Sequence, residues 1–167
     1  KKNHLPVVTS FRRQDLIDNR CKNYVGTLGT SVSPKLLSAF KEADLILSIG
    51  SRLSDMSTNS FKLFNKSSEK TKLIQIYPNF KEIEKVFNAE LYIETDINYF
   101  ANKIFKFDWF NSEKWGNWLK RLRKEYIDDI LIKEDYNNHS LATICSKINR
   151  YINDETIITL DAGNHTG

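Results

Sequence analysis

The sequence predicts an α/β fold, a doubly wound Rossmann-like layer of parallel strands with helices on its faces. Three observations carry that expectation. Apolar runs of five to seven residues recur along the first hundred positions, as in "DLILSIG" and "KLIQIY", and strands buried on both faces of a parallel sheet read this way. Segments with helical periodicity or capping signals alternate with them, and alternation of this length implies parallel strands joined by crossovers. Polar, glycine-containing loops follow the strands, where open parallel sheets bind their ligands.

Taken in order, "LPVVTS" (Leu5 to Ser10) is a β-rich run of interior character, so an earlier strand and helix are expected in the intact protein. "FRRQDLIDNRCKNYVGTLGTSV" reads as one long polar loop. Ser33 and Pro34 supply a hydroxyl N-cap and a proline at the first helical position, and Leu36, Leu37 and Phe40 form that helix's apolar face. "DLILSIG" is a strand buried on both faces, "SRLSDMSTNSFKLFNKSSEK" a second polar loop, and "KLIQIY" a third strand. Asn79 followed by Glu82 has the spacing of a capping box and predicts a helix. "ELYIET" is a short fourth strand. Asp96 caps a helix with Ile97, Phe100, Ala101 and Ile104 at i, i+3, i+4 and i+7.

After Phe107 the pattern changes. Trp115, Trp118, Leu119, Leu122 and Tyr126 share one helical face, Lys120, Arg121, Arg123 and Lys124 occupy others, and Arg121 can pair with Glu125 at i, i+4. This is expected to be a connector helix with its apolar side against a neighbouring domain. Ser140 then caps a helix bearing Leu141, Ile144, Cys145 and Ile148 on one face, with Cys145 buried. "ETIITL" is expected as a strand, closed by "DAGNHTG". The division expected is a central domain over 1–107, incomplete at its N-terminal side, a connector over 108–138, and the truncated opening of a second α/β domain over 139–167.

Composition narrows the function classes. The 167 residues carry a formal net charge of +4, with Lys and Arg spread along the chain; nucleic-acid binding calls for a clustered stripe, so no nucleic acid is expected. No apolar run is long enough to span a bilayer and no signal peptide opens the chain, so a cytoplasmic protein without a membrane partner is expected. Cys21 and Cys145 have no metal-ligand spacing and read as free thiols of a reducing compartment. His4, His139 and His165 are scattered and form no metal set or catalytic triad.

The chemical interest lies at strand ends. In "DAGNHTG", Gly163 allows close backbone approach, and Asn164 and His165 offer donors to an anion. A plain strand-to-helix turn capped by Asp161 is the competing reading. "GTLGTS" (Gly26 to Ser31) is either a nucleotide-binding turn or a flexible one, and does not match G-x-G-x-x-G. Arg12 and Arg13, and Arg52 after the next strand, are anion holders or interdomain partners, or solvated surface charges.

"LPVVTSFRRQD", "GTLGTS", "ADLILSIGSRLSDMST", "IQIYPNFKEI" and "DAGNHTG" follow in the order and spacing of thiamine-diphosphate-dependent enzymes. The chain resembles the acetolactate synthase and benzoylformate decarboxylase group along nearly its whole length. The resemblance implies thiamine diphosphate and Mg²⁺ as cofactors, a 2-keto acid as substrate, decarboxylation or carboligation as reaction, and an intact homodimer or homotetramer. It places Gly163, Asn164 and His165 where the synthases carry a Gly-Gln-His segment touching the diphosphate, with Asn for Gln. It assigns no catalytic acid, base or metal ligand to this chain, and implies that the chain is a fragment inactive by itself. The synthases also hold FAD, and Arg52 matches the first position of their Arg-Phe-Asp-Asp-Arg stretch. Here that stretch reads Arg52-Leu53-Ser54-Asp55-Met56, and Tyr77 and Pro78 stand where acidic residues are found, which weakens the case for FAD and for acetolactate synthase activity itself and leaves a related decarboxylase or lyase without FAD open. A stand-alone Rossmann-like nucleotide-binding module without catalysis is the alternative, and a structural remnant without activity is a third.

Overall fold

A computed structural model describes residues 3–30, 32–63, 70–82, 86–107, 113–131 and 141–159. Among these described residues, five strands and four α-helices run in the order β1 (Val7–Thr9), β2 (Tyr24–Thr27), α1 (Pro34–Glu42), β3 (Leu45–Ile49), β4 (Lys72–Tyr77), β5 (Leu91–Glu94), α2 (Ile97–Ile104), α3 (Gly116–Ile130) and α4 (Leu141–Ile148). Every strand pair is parallel. The architecture is α/β, as expected of a Rossmann-like layer, but among the described residues the strands form two sheets, β1-β2 and β3-β4-β5.

The long polar loop is interrupted. Tyr24 and Val25, an aromatic and a β-branched residue, form β2 and are almost fully buried. β2 pairs with β1 through an irregular register, Val7 opposite Tyr24 and Thr9 opposite Thr27. Gly26 sits in that irregularity with φ of 132°, a conformation L side chains rarely adopt. A single 3₁₀ turn over Gln14–Leu16 adds further structure to the same loop.

α1 begins at Pro34 as expected, but Ser33 makes no capping hydrogen bond; its hydroxyl donates to Asp129 Oδ2 of α3 instead. Asp96 does cap α2, accepting from Tyr99 N–H at 2.9 Å. Asn79 Oδ1 accepts from Lys81 N–H, as an N-cap does, and the described residues that follow form a 3₁₀ turn over Phe80–Glu82.

The core is in two parts. Val25, Leu28, Leu36, Ala39, Leu63, Leu119 and Leu122 form one cluster, and Leu53, Leu73 and Phe87 the other. α3 supplies Leu119 and Leu122 to the first, so the helix expected as a connector lays its apolar face on β2 and α1. Each buried leucine contributes roughly 1.5–3 kcal/mol by transfer from water. Polar tethers reinforce the contact: Arg121 pairs with Glu42 and, at 3.4 Å, with Glu125, while Trp118 Nε1 donates to Glu42 at 3.1 Å.

Two expectations of burial fail, and one expected strand is missing from the described residues. β3 is not buried on both faces: Leu45, Leu47 and Ile49 are 48%, 43% and 46% exposed, because no described element covers that face. Cys145 is exposed, as are Leu141, Ile144 and Ile148, since α4 has no described neighbour for its apolar stripe. The strand expected over 155–160 is absent from its described part, 155–159; a strand exists only through a ladder partner, and the described residues supply none.

Candidate functional site

Gly163, Asn164 and His165 lie outside the described residues, as does Asp161. The described candidates sit on the loops leaving the carboxyl ends of β1, β2 and β3, and packing joins those loops. Ser10, just past β1, shares a hydrogen bond with Ser57 at 2.7 Å between hydroxyl oxygens. Phe11 packs against Gly29. In the loop after β3, buried Gln75 donates from Nε2 to Ser51 O at 3.1 Å, and Thr58, fully buried, donates to Ser54 O at 2.7 Å. Neutral hydrogen bonds therefore hold this rim in place.

The arginines stand apart from one another. Arg12 is exposed, with φ of 59° and its guanidinium 5.1 Å from the Phe11 ring centre. Arg13 pairs with Asp15 at 3.3 Å. Arg52 is exposed and reaches Glu82 at 3.8 Å, too long for a well-made bidentate pair. No described contact joins Arg12 to Arg52.

The glycine turn is spent on packing. A Cβ built at Gly29 would lie 2.7 Å from Phe11 Cδ2, and one at Gly26 would lie 3.0 Å from Leu36 Cδ2. Gly26 also belongs to β2 rather than to a loop. Both glycines admit neighbouring side chains instead of leaving an open backbone cradle, so these residues do not fit a dinucleotide diphosphate. The stand-alone nucleotide-binding reading finds no support at this turn.

A cavity of about 380 Å³ lies elsewhere, between β2, α1 and α3, with Val25, Leu36, Leu122 and Tyr126 among its walls. At its edge Asp129 accepts from Ser33 and from Lys35 Nζ, the latter at 3.1 Å. The hydrogen bond from Ser33, then that from Lys35, holds the Asp129 carboxyl below its ordinary range. The same contact raises the Lys35 ammonium. Burial pushes the Tyr126 phenol up, where its ring meets Tyr24 edge-on at 5.2 Å. Arg123 donates to Tyr24 O at 2.7 Å and to Asn19 O at 2.9 Å. These groups form a satisfied structural network. Sequence reading missed it, and the Ser10–Ser57 bridge, because the partners lie 47 to 104 residues apart with no local signal.

The parallel α/β arrangement, with loops at the carboxyl ends of its strands, defines a Rossmann-like class of protein. Within that class, residues 1–104 match the family described as thiamine pyrophosphate enzyme, central domain, and the chain belongs to that family. It is also 29% identical over 178 aligned positions to a probable acetolactate synthase large subunit from Methanococcus aeolicus. The alignment takes in 96% of this chain and 29% of that protein, so the chain spans less than a third of its relative's length. Membership in the family implies thiamine diphosphate as cofactor. Among the described residues no helix is long and apolar enough to cross a membrane.

Proposed function

We propose that this chain is part of a thiamine-diphosphate-dependent enzyme acting on 2-keto acids, by decarboxylation, carboligation or both. The observation that carries the reading is the match of residues 1–104 to the central domain of that family. The similarity of nearly the whole chain to a probable acetolactate synthase large subunit supports the substrate class.

In this reading residues 1–107 are scaffold, 108–138 connect, and 139–167 open the domain that holds the cofactor. Bound thiamine diphosphate supplies the carbanion chemistry, and the protein positions it and excludes water. Gly163 would keep the backbone free of a Cβ at the diphosphate, and Asn164 and His165 would offer it hydrogen-bond donors. Mg²⁺ ligands and the acid–base groups come from polypeptide outside this chain, and the working enzyme is a homodimer or homotetramer. FAD is a lesser part of the proposal: Arg52 would have to leave Glu82 to reach an FAD phosphate, and the filled glycine turn offers no cradle beside it.

The test is release of CO₂ from a panel of 2-keto acids by the protein encoded by the intact reading frame. Activity is expected only with thiamine diphosphate and a divalent cation present. Absence of turnover with every 2-keto acid, under conditions where the cofactor is bound, overturns the substrate class. A flavin spectrum in the purified protein, lost in Arg52→Ala, would restore FAD to the account.

A further inference from the structure

The cavity between β2, α1 and α3 is larger than a packing defect. A well-packed interior leaves few voids bigger than a water molecule. This one, at about 380 Å³, falls within the range of roughly 300–1,000 Å³ typical of small-molecule sites. Its inner wall is apolar, since Val25, Leu36 and Leu122 line it and are buried members of the first core cluster. Tyr126 adds an aromatic wall. Ile130 also lines the cavity and is 52% exposed, so the space opens to solvent at that end of α3.

The charged groups around the opening are Lys35, Glu125 and Asp129, all of them partly exposed. Their balance is negative. Lys35 bonds Asp129 at 3.1 Å and also feels Asp128 and Glu125. Arg121, one turn earlier on α3, is divided between Glu42 and Glu125. Its contact with Glu125 Oε1 is 3.4 Å, long for a charge-assisted hydrogen bond, and Glu125 Oε2 has no hydrogen bond among the described residues. Arg123 is committed to the carbonyls of Tyr24 and Asn19. At the contact of α1 with α3, Glu42, Glu125, Asp128 and Asp129 therefore outnumber Lys35 and Arg121. An apolar chamber with a few convergent polar groups at its mouth is the makeup of a ligand pocket.

We propose that this cavity binds a small organic amine, with a hydrocarbon or aromatic body between Val25, Leu36 and Leu122 and an ammonium group donating to Glu125 and Asp129. The ligand would touch β2, α1 and α3 at once and strengthen the seat of α3 on the other two. A neutral molecule of the same shape lacks the charge-assisted bonds, and an anion meets the surplus of carboxylates. None of Arg12, Arg13 and Arg52 lines this cavity, and the inference is independent of the cofactor and substrate proposed above.

The test is calorimetric titration of phenethylamine into the protein encoded by the intact reading frame, near neutral pH, with phenethyl alcohol and phenylacetate as neutral and anionic controls. Thermal unfolding with and without each compound reports binding a second time, because a ligand of the folded state raises the midpoint. The amine is expected to bind at least about tenfold more tightly than the alcohol, and the anion more weakly than either. Glu125→Gln should weaken the amine about tenfold and leave the alcohol unchanged. Ile130→Trp, a larger side chain at a half-exposed position, should block the opening and remove binding of both. No heat and no midpoint shift with the amine up to about 10 mM overturns the proposal, and is the result expected if other polypeptide of the intact protein fills the cavity. Equal affinity for amine and alcohol overturns it as well, as does amine affinity unchanged in Glu125→Gln or in a folded Ile130→Trp.

Discussion

α3 and α4 are both amphipathic helices read from the same kind of sequence pattern, and the molecule treats them differently. α3 buries Leu119 and Leu122 against Val25 and Leu36, and pins its polar flank with Arg121–Glu42, Trp118–Glu42, Ser33–Asp129 and Arg123–Tyr24 contacts. α4 leaves Leu141, Ile144 and Ile148 about half exposed and buries only Thr143. Periodicity shows that a helix has an apolar face; it does not say which surface receives that face. The apolar residues that follow α4 repeat the lesson, since Ile157 is 88% and Ile158 58% exposed.

Stability measurements on the 167-residue chain can break or sharpen this contrast. The largest effect is expected at Leu122, 4% exposed within the first cluster. Leu122→Ala should cost about 2–5 kcal/mol by lost transfer energy and an unfilled cavity, against about 0.5 kcal/mol or less for Ile144→Ala. Equal shifts in the urea midpoint for the two variants would erase the distinction between the helices.

Gly29→Ala comes next. Its Cβ would lie 2.7 Å from the Phe11 ring, so overpacking should destabilise by about 1–3 kcal/mol. Thermal unfolding of the double variant with Phe11→Leu should recover most of the loss. If the single variant is as stable as the parent, the glycine is not needed for packing and the nucleotide-turn reading regains ground.

Arg123 ties α3 to the backbone of β2 through Tyr24 O and to the preceding loop through Asn19 O. Arg123→Ala should cost about 1.5–3 kcal/mol, as for hydrogen bonds made by a charged group. Arg123→Lys, which lacks the forked donors, should recover only part of it. Full recovery in denaturant titrations would mean that charge, not geometry, fastens the helix.

The smallest effect belongs to Asp129. Its carboxyl is held below the ordinary range in the folded chain, so its contribution is present above the unfolded value of about 4. That contribution is lost as pH falls through the lower folded value. Partial exposure reduces it to a few tenths of a kcal/mol. Asp129→Asn should flatten the fall of stability below about pH 4 relative to the parent, and an unchanged acid limb would remove Asp129 from the tether.

The fold class was legible because strands such as "KLIQIY" carry their pattern locally; β4 occupies the residues expected for it. Asp96 was legible because an N-cap bonds within its own turn. β2 was hidden by its brevity and by Gly26, which reads as loop. Ser33 was half legible: its position before Pro34 marks the helix start, but its hydroxyl serves Asp129, a partner no local window contains. The exposure of β3, α4 and Cys145 was illegible for a related reason, since burial depends on which surfaces surround an element. Of the candidate site, the arginines could be located from strand ends, while the packing role of Gly26 and Gly29 depended on Leu36 and Phe11.

The measurement that bears most directly on the central claim is calorimetric titration of thiamine diphosphate, with Mg²⁺ present, into the protein encoded by the intact reading frame. Saturable binding is expected, weakened roughly tenfold, or about 1.4 kcal/mol, in both Asn164→Ala and His165→Ala. Binding to the parent with unchanged affinity in both variants would remove the closing turn from the diphosphate, and no binding to the parent would contradict the cofactor itself.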